Sequence, residues 1–208
     1  MKTQHLETLT YVLVVILLVI AAINQYQITA VSGMMTMQKT TSTGSSTGSQ
    51  TDLTSFLPKG IPAVYGPELG VSFDDPVNSL NVMAAMDFDL NGPNPNGLSM
   101  MYSELTEEQK GRYLRIGSSI ACEYCCGATT LIMADGKPAC GCAHSAAMRA
   151  LAKYLLQEHG SEFTDAQILE ELVKWKTMFF PKQMLPKLAQ QSGQQVNLTE
   201  LPNMVGGC

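Results

Sequence analysis

Apolar positions recur every three or four residues along three stretches in the second half of the chain, with polar residues between them. This spacing places the apolar side chains on one face of a helix. It predicts amphipathic helices over about residues 107–121, 146–158 and 165–179, which together form a three-helix bundle, so that residues 103–182 are a mainly α-helical domain. The residues expected to face inward are Tyr113, Leu114, Ile116, Ile120, Met148, Leu151, Ala152, Leu155, Leu156, Ile168, Leu169, Leu172, Trp175 and Phe179.

Capping signals define the ends of these helices. Thr106 with Gln109, and Thr164 with Gln167, have the spacing of a capping box, in which two side chains satisfy two open backbone N–H groups. Ser145 is a favourable N-cap for the middle helix. Pro181 is expected to end the third helix, because proline cannot continue the backbone hydrogen-bond pattern.

The N-terminal pattern is different. Residues 9–23 are almost entirely apolar, Lys2 precedes them, and no charge follows until Lys39. This favours an uncleaved membrane helix within residues 1–35, and a cleaved signal peptide is the alternative. The charge bias places the N-terminus inside, which predicts a single-pass protein of the cell membrane whose C-terminal domain lies outside the cytoplasm.

The segments around the helical domain have little helical pattern. Residues 36–55 are rich in Ser, Thr and Gly, which is typical of a flexible linker. Proline and glycine interrupt residues 56–102 often, so we expect an extended arm with a short helix near residues 77–86. Residues 183–208 are expected to form a flexible tail.

The charge of the chain limits the classes of molecule that it can bind. The chain has 13 Lys and Arg against 18 Asp and Glu, a formal net charge of −5, and no basic stripe. This argues against nucleic acid as a partner. The predicted partners are the membrane, through the N-terminal helix, and a protein partner or a second copy of the chain.

Five of the six cysteines lie in two short motifs, "CEYCCG" at residues 122–127 and "CGCAHS" at residues 140–145. Residues 129–133 between them favour a β-strand, and Asp135-Gly136 suits a tight turn. The pattern therefore predicts a β-hairpin, inserted between the first two helices, that brings the two motifs together.

Two cysteine pairs brought together in this way are typical of a metal site, because thiolate and imidazole are the ligands of tetrahedral zinc. Zinc is the favoured ion, and an iron–sulfur cluster or Cu(I) are alternatives with the same ligand types. The natural ligands are Cys122, Cys125, Cys140 and Cys142, with Cys126 and His144 as further candidates.

Two other functions fit the same residues. Cys122 and Cys125 form a C-x-x-C pair, the arrangement of a thiol–disulfide oxidoreductase. An exterior location also permits two structural disulfides in a surface protein without any chemistry. A non-enzymatic metal-binding protein is favoured over the enzyme.

Parts of the chain resemble known families. "CEYC", "AMRALAKYLL" and "TDAQILEELVKW", in that order, resemble the small thiol-reductase subunit of cytochrome c maturation over about residues 107–180. That resemblance implies a membrane-anchored three-helix bundle facing outward, with Cys122 and Cys125 as the redox pair. "KPACGCAHS" is similar to the PCYCGC-motif lipoproteins of bacteria, which implies metal binding by Cys140, Cys142 and His144. The combined pattern also resembles membrane-anchored CxxCC…CGCxHS proteins, which implies an anchored, cysteine-rich helical bundle.

Overall fold

The computed structural model describes residues 57–191 and 201–206. The predicted membrane helix in residues 1–35 and the linker in residues 36–55 lie outside these ranges. None of the helices in the described ranges combines the length and the apolar character needed to cross a bilayer.

The described part of the chain is mainly helical and contains no β-strand. It has seven α-helices and one short 3₁₀ helix, Tyr102–Glu104. The α-helices are α1 (Gly66–Leu69), α2 (Pro76–Ala85), α3 (Phe88–Asn91), α4 (Glu107–Ser119), α5 (Ala143–Glu158), α6 (Asp165–Phe179) and α7 (Pro181–Gln191).

Both predicted capping boxes are confirmed, and they fix the starts of α4 and α6. Thr106 Oγ1 accepts a hydrogen bond from the Gln109 backbone N at 3.3 Å, and Gln109 Oε1 accepts from the Thr106 N at 2.9 Å. Thr164 and Gln167 repeat the arrangement. Because each box satisfies two open N–H groups, the local sequence alone determines these helix starts.

The start of α5 differs from the prediction. The helix begins at Ala143 instead of residue 146, and its N-cap is Cys142 instead of Ser145. The Cys142 sulfur accepts a hydrogen bond from the Ser145 backbone N at 3.4 Å. A sulfur acceptor is outside the usual set of N-cap side chains, so the pattern favoured the serine.

Helix α5 forms the centre of the core. It packs against α2, α4 and α6, and α4 and α6 also pack against each other. Its buried face includes charged as well as apolar side chains. The residues of α5 that are fully buried are His144, Ser145, Ala146, Ala147, Arg149, Ala150, Leu151, Ala152, Lys153, Leu155 and Leu156.

The segment predicted as an extended arm contributes to this core instead of lying on it. It contains α1, α2 and α3, and α2 lies where a short helix was expected. Leu80 and Met83 of α2 are buried, and the ring of Phe73 lies 4.5 Å from that of Trp175 in α6. Proline at the start of α2 is compatible with a helix, since the first-turn N–H groups have no partner within the helix.

A buried ion cluster fastens this segment to α5. Asp87 is fully buried, and its carboxylate lies 2.7 Å from Arg149 Nη2 and 2.7 Å from Lys153 Nζ. Lys153 also contacts Asp89 at 2.6 Å. The four charges balance, which offsets much of the cost of removing them from water.

The predicted β-hairpin forms only as a turn. Gly136 adopts a φ of +82°, and a single antiparallel bridge joins Ile132 to Pro138. Hydrogen bonds from Met133 N to the Lys137 carbonyl and from Ala139 N to the Leu131 carbonyl flank the bridge. Pro138 has no N–H to donate, so the pairing does not extend into strands.

The chain after α6 also departs from the prediction. Pro181 ends α6 as expected, but it also begins α7, because proline is well suited to the first helical position. Part of the expected flexible tail is therefore helical. Residues 201–206 pack on the domain, with Leu201 buried against Leu185 and Ala189 of α7.

A cluster of one histidine and two carboxylates lies at the C-terminal end of α5. His159 Nε2 lies 2.9 Å from the carboxylate of Glu68, and His159 Nδ1 lies 2.9 Å from that of Glu162. The Tyr154 hydroxyl also donates to Glu68. Burial lowers the pKa of His159, but the hydrogen bonds that the ring donates to Glu162 and Glu68, and the charges of these carboxylates, outweigh burial, so the pKa is raised.

This cluster predicts a pH-dependent contribution to stability. The unfolded pKa of histidine is about 6.5, so a raised folded pKa stabilises the fold fully below that pH and loses the effect as pH rises through the folded pKa. We expect wild type to exceed His159→Gln in unfolding free energy by more at about pH 6 than at about pH 9. Denaturant unfolding of both proteins at the two pH values measures this, and a difference that grows with pH contradicts it.

Candidate metal centre

The loop between α4 and α5 carries the first cysteine motif in a tight turn. The Tyr124 backbone N donates to the Cys122 carbonyl at 2.7 Å, and Glu123 between them has a φ of +62°. A hydrogen bond spanning two residues around a positive φ is the strained form of a γ-turn. Because of this turn, the sulfurs of Cys122 and Cys125 lie close to the same point.

Charged side chains from two distant helices hold this turn. Lys176 of α6 lies 2.8 Å from the Glu123 carboxylate, and Lys187 of α7 lies 3.3 Å from it. Lys187 Nζ also donates to the Tyr124 hydroxyl at 2.7 Å. The hydrogen bond from Lys176 in particular lowers the pKa of Glu123. Sequence analysis missed these residues, because a contact across 53 positions leaves no local pattern.

Four potential ligands converge beside this turn. Cys122, Cys125, Cys142 and His144 each offer one ligand atom, and these atoms all lie within 4.8 Å of one another. The sulfurs of Cys122 and Cys142 are 3.7 Å apart, and Cys125 Sγ lies 3.4 Å from His144 Nδ1. Together these side chains could hold a metal ion.

The two ring nitrogens of His144 have different partners, and Nδ1 is the one that faces the other ligand atoms. Its Nε2 lies 2.6 Å from the Val205 carbonyl, which can only accept, so Nε2 carries the proton. In the neutral ring, Nδ1 then has the free lone pair, and this atom faces Cys125. The rings of Phe179 and Phe180 lie 5.4 and 4.5 Å from the imidazole and enclose it.

Among the described residues, Cys122 and Cys142 are free cysteines, and their sulfurs are in contact. Cys122 is fully buried, and Cys142 is partly exposed at the N-cap of α5. The contact with the Cys122 sulfur, and after it the contacts with His144 and Ser145, outweigh burial and lower the pKa of Cys142. The same contact and burial raise the pKa of Cys122. The contact therefore favours ionisation of Cys142 over that of Cys122, and a thiolate is the form that binds metal.

The other cysteines of the two motifs are oxidised. Cys126 and Cys140 form a disulfide across 14 positions, with their Cα atoms 6.6 Å apart. Cys125 is also in a disulfide, so its sulfur becomes a thiolate ligand only when that bond is reduced. The predicted four-thiolate set with Cys140 is thus not assembled, and neither Cys140 nor Cys126 has a free thiol to offer a metal ion. His144 takes the place that the spacing gave to Cys140.

No family model, curated protein or solved structure matches this chain. The resemblances of the short motifs to known families therefore remain predictions.

Proposed function

We propose that this protein is a membrane-anchored, extracytoplasmic protein that binds one metal ion through Cys122, Cys142 and His144, with Cys125 as a fourth ligand when reduced. The anchor and the exterior location rest on the apolar run of residues 9–23 and its flanking charges. The role is non-enzymatic: the domain stores the ion, senses it or hands it to a protein partner.

The observation that supports metal binding is the spacing of the ligand atoms. A tetrahedral zinc site with Zn–S bonds of about 2.3 Å separates two sulfurs by about 3.8 Å, and a sulfur from an imidazole nitrogen by about 3.6 Å. The Cys122–Cys142 and Cys125–His144 separations are 3.7 and 3.4 Å. Two edges of the cluster therefore already have the dimensions of an occupied site.

The ligand types favour a soft or borderline ion. Thiolates and imidazole select zinc or Cu(I) over magnesium and calcium, which prefer oxygen ligands. Four ligands, with Cys125 reduced, suit tetrahedral zinc. Three ligands, with Cys125 in its disulfide, suit Cu(I), which accepts fewer ligands than zinc.

Replacing His144 tests the ligand set. We expect the reduced full-length protein in detergent to bind one zinc ion per chain, and His144→Ala to bind it at least about tenfold more weakly, because a ligand is lost. His159→Ala is the matched control, since that histidine lies at the other end of α5 and should leave zinc affinity unchanged. Competition against a chromophoric chelator measures all three proteins. Equal affinities for His144→Ala and wild type contradict the assignment.

Thiol–disulfide exchange is a second candidate, and the 3.7 Å contact of the two free thiols favours it. The redox pair is then Cys122 with Cys142, and not the C-x-x-C pair. The Cys142 thiolate attacks a substrate disulfide and releases one substrate thiolate. The Cys122 thiol then attacks the Cys142 sulfur, loses its proton and releases the second, so the substrate gains two electrons and the protein forms a disulfide.

An experiment on metal-free protein distinguishes thiol–disulfide exchange from metal binding. Exchange predicts that Cys122→Ser accumulates a mixed disulfide between Cys142 and a disulfide substrate, because the resolving thiol is absent. Mass spectrometry of the trapped adduct detects it. No adduct, together with zinc binding by wild type, leaves metal binding as the function.

A further inference from the structure

Residues 201–206, called here the C-terminal strap, lie directly against the candidate metal centre. Leu201 is buried at the α7 end of the strap. Near its other end, the Val205 backbone N donates to the Phe179 carbonyl at 3.0 Å, and the Val205 carbonyl accepts from His144 Nε2 at 2.6 Å. One residue of the strap is thus bonded both to the end of α6 and to the first turn of α5.

The Val205 carbonyl decides which nitrogen of His144 is available. A neutral imidazole carries one proton, and the carbonyl keeps it on Nε2, so that Nδ1 can bind a metal. His144 is fully buried. A buried N–H without an acceptor is costly, so the Val205 carbonyl stabilises the tautomer with the proton on Nε2. Without the strap this acceptor is gone, and the proton is no longer fixed at Nε2. A proton on Nδ1 blocks the ligand position.

We infer that the C-terminal strap is a positioning part of the metal centre: the docked strap selects the tautomer of His144 that binds metal, and bound metal in turn holds the strap in place. The inference rests on the proposed metal function. Since coupling between two binding events is reciprocal, the factor by which docking strengthens metal binding equals the factor by which metal strengthens docking.

Gly206 offers a way to weaken docking without replacing a ligand. Its φ is +71°, and a Cβ there would lie 2.8 Å from Leu80 Cδ2 and 3.9 Å from His144 Nε2. Gly70 is a matched control, with a φ of +66° and no atom within 4 Å of an added Cβ. Alanine at either position strains the backbone similarly, but only at Gly206 does it disturb the strap.

The first experiment compares Gly206→Ala and Gly70→Ala in the reduced, full-length protein. We expect Gly206→Ala to bind zinc about 10–100-fold more weakly, the range for losing an outer-shell partner of a metal-binding histidine. The ¹⁵N shifts of the His144 ring in metal-free protein should move from the Nε2-protonated form toward a mixture of tautomers. Gly70→Ala should leave both measurements unchanged. Wild-type zinc affinity and ring shifts in Gly206→Ala overturn the inference.

The second experiment uses wild-type protein alone, so it holds even if a variant fails to fold. Hydrogen exchange of the Val205 amide, which donates to Phe179, reports undocking of the strap. Zinc should slow this exchange by the same factor of about 10–100 that the variant shows in affinity. An exchange rate that zinc leaves unchanged overturns the coupling.

The two failures are distinguishable. If wild type binds no zinc, the proposed function fails, while the ring shifts of metal-free Gly206→Ala still show whether the strap sets the tautomer. If wild type binds zinc and both the variant and the exchange rate are unaffected, the metal function stands and the strap has no part in it.

Discussion

Asp87→Ala is expected to destabilise the folded domain by about 3–5 kcal/mol, because it leaves Arg149 and Lys153 buried without their shared partner. Both cations are almost completely removed from solvent. Asp89 remains beside Lys153 but gives Arg149 no counterion. Since small domains are stable by only about 5–15 kcal/mol, this single change approaches the whole stability of the fold.

Urea or guanidinium unfolding of full-length protein measures the loss. The matched control is Asp135→Ala, which removes an exposed carboxylate paired with Lys137 and bonded to the Lys137 backbone N, and should cost less than about 1 kcal/mol. A loss of less than about 1 kcal/mol for Asp87→Ala would show that the cluster relaxes or takes in water, and contradicts its structural role.

Cys142→Ser is expected to have the largest effect on metal binding. The pKa of this thiol is lowered, so it ionises more readily than Cys122, whereas a serine hydroxyl is not ionised at neutral pH. The zinc affinity of the reduced protein should fall by more than the roughly 10–100-fold that outer-shell changes cause. Chelator competition, and loss of the sulfur-to-metal charge-transfer band of the Co²⁺ form, measure it.

The double variant Cys126→Ser, Cys140→Ser is the control for Cys142→Ser. It removes two sulfurs from the same two motifs but leaves the proposed ligands in place. Compared with the oxidised wild type it should lose about 2–4 kcal/mol of stability, as expected for a short disulfide loop, and in the reduced state it should keep its zinc affinity. If this control loses zinc binding and Cys142→Ser keeps it, the zinc ligands are Cys126 and Cys140, and the proposed assignment is wrong.

The helices were predictable where local chemistry determines them. The capping boxes at Thr106 and Thr164 fix two helix starts without help from the rest of the fold. The start of α5 was not predictable in the same way, because the cap is a sulfur. That shift matters for the site, since it places His144 in the first turn of the helix.

The ligand set was only partly predictable, for a physical reason. Cysteines that form a disulfide and cysteines that share a metal need the same proximity, so spacing alone cannot separate Cys140 from Cys142. The contacts around the ligands could not be predicted from the sequence, because they join residues far apart along the chain. Val205 lies 61 positions from His144, and Lys176 lies 53 positions from Glu123. Only the folded chain brings these pairs together.

X-ray absorption spectroscopy of the reduced, zinc-loaded full-length protein identifies the atoms that coordinate the ion. We expect one zinc ion per chain, bound to two or three sulfurs at about 2.3 Å and one nitrogen at about 2.0–2.1 Å. A protein that takes up no zinc after reduction, with Cys122 and Cys142 intact as free thiols, would contradict it.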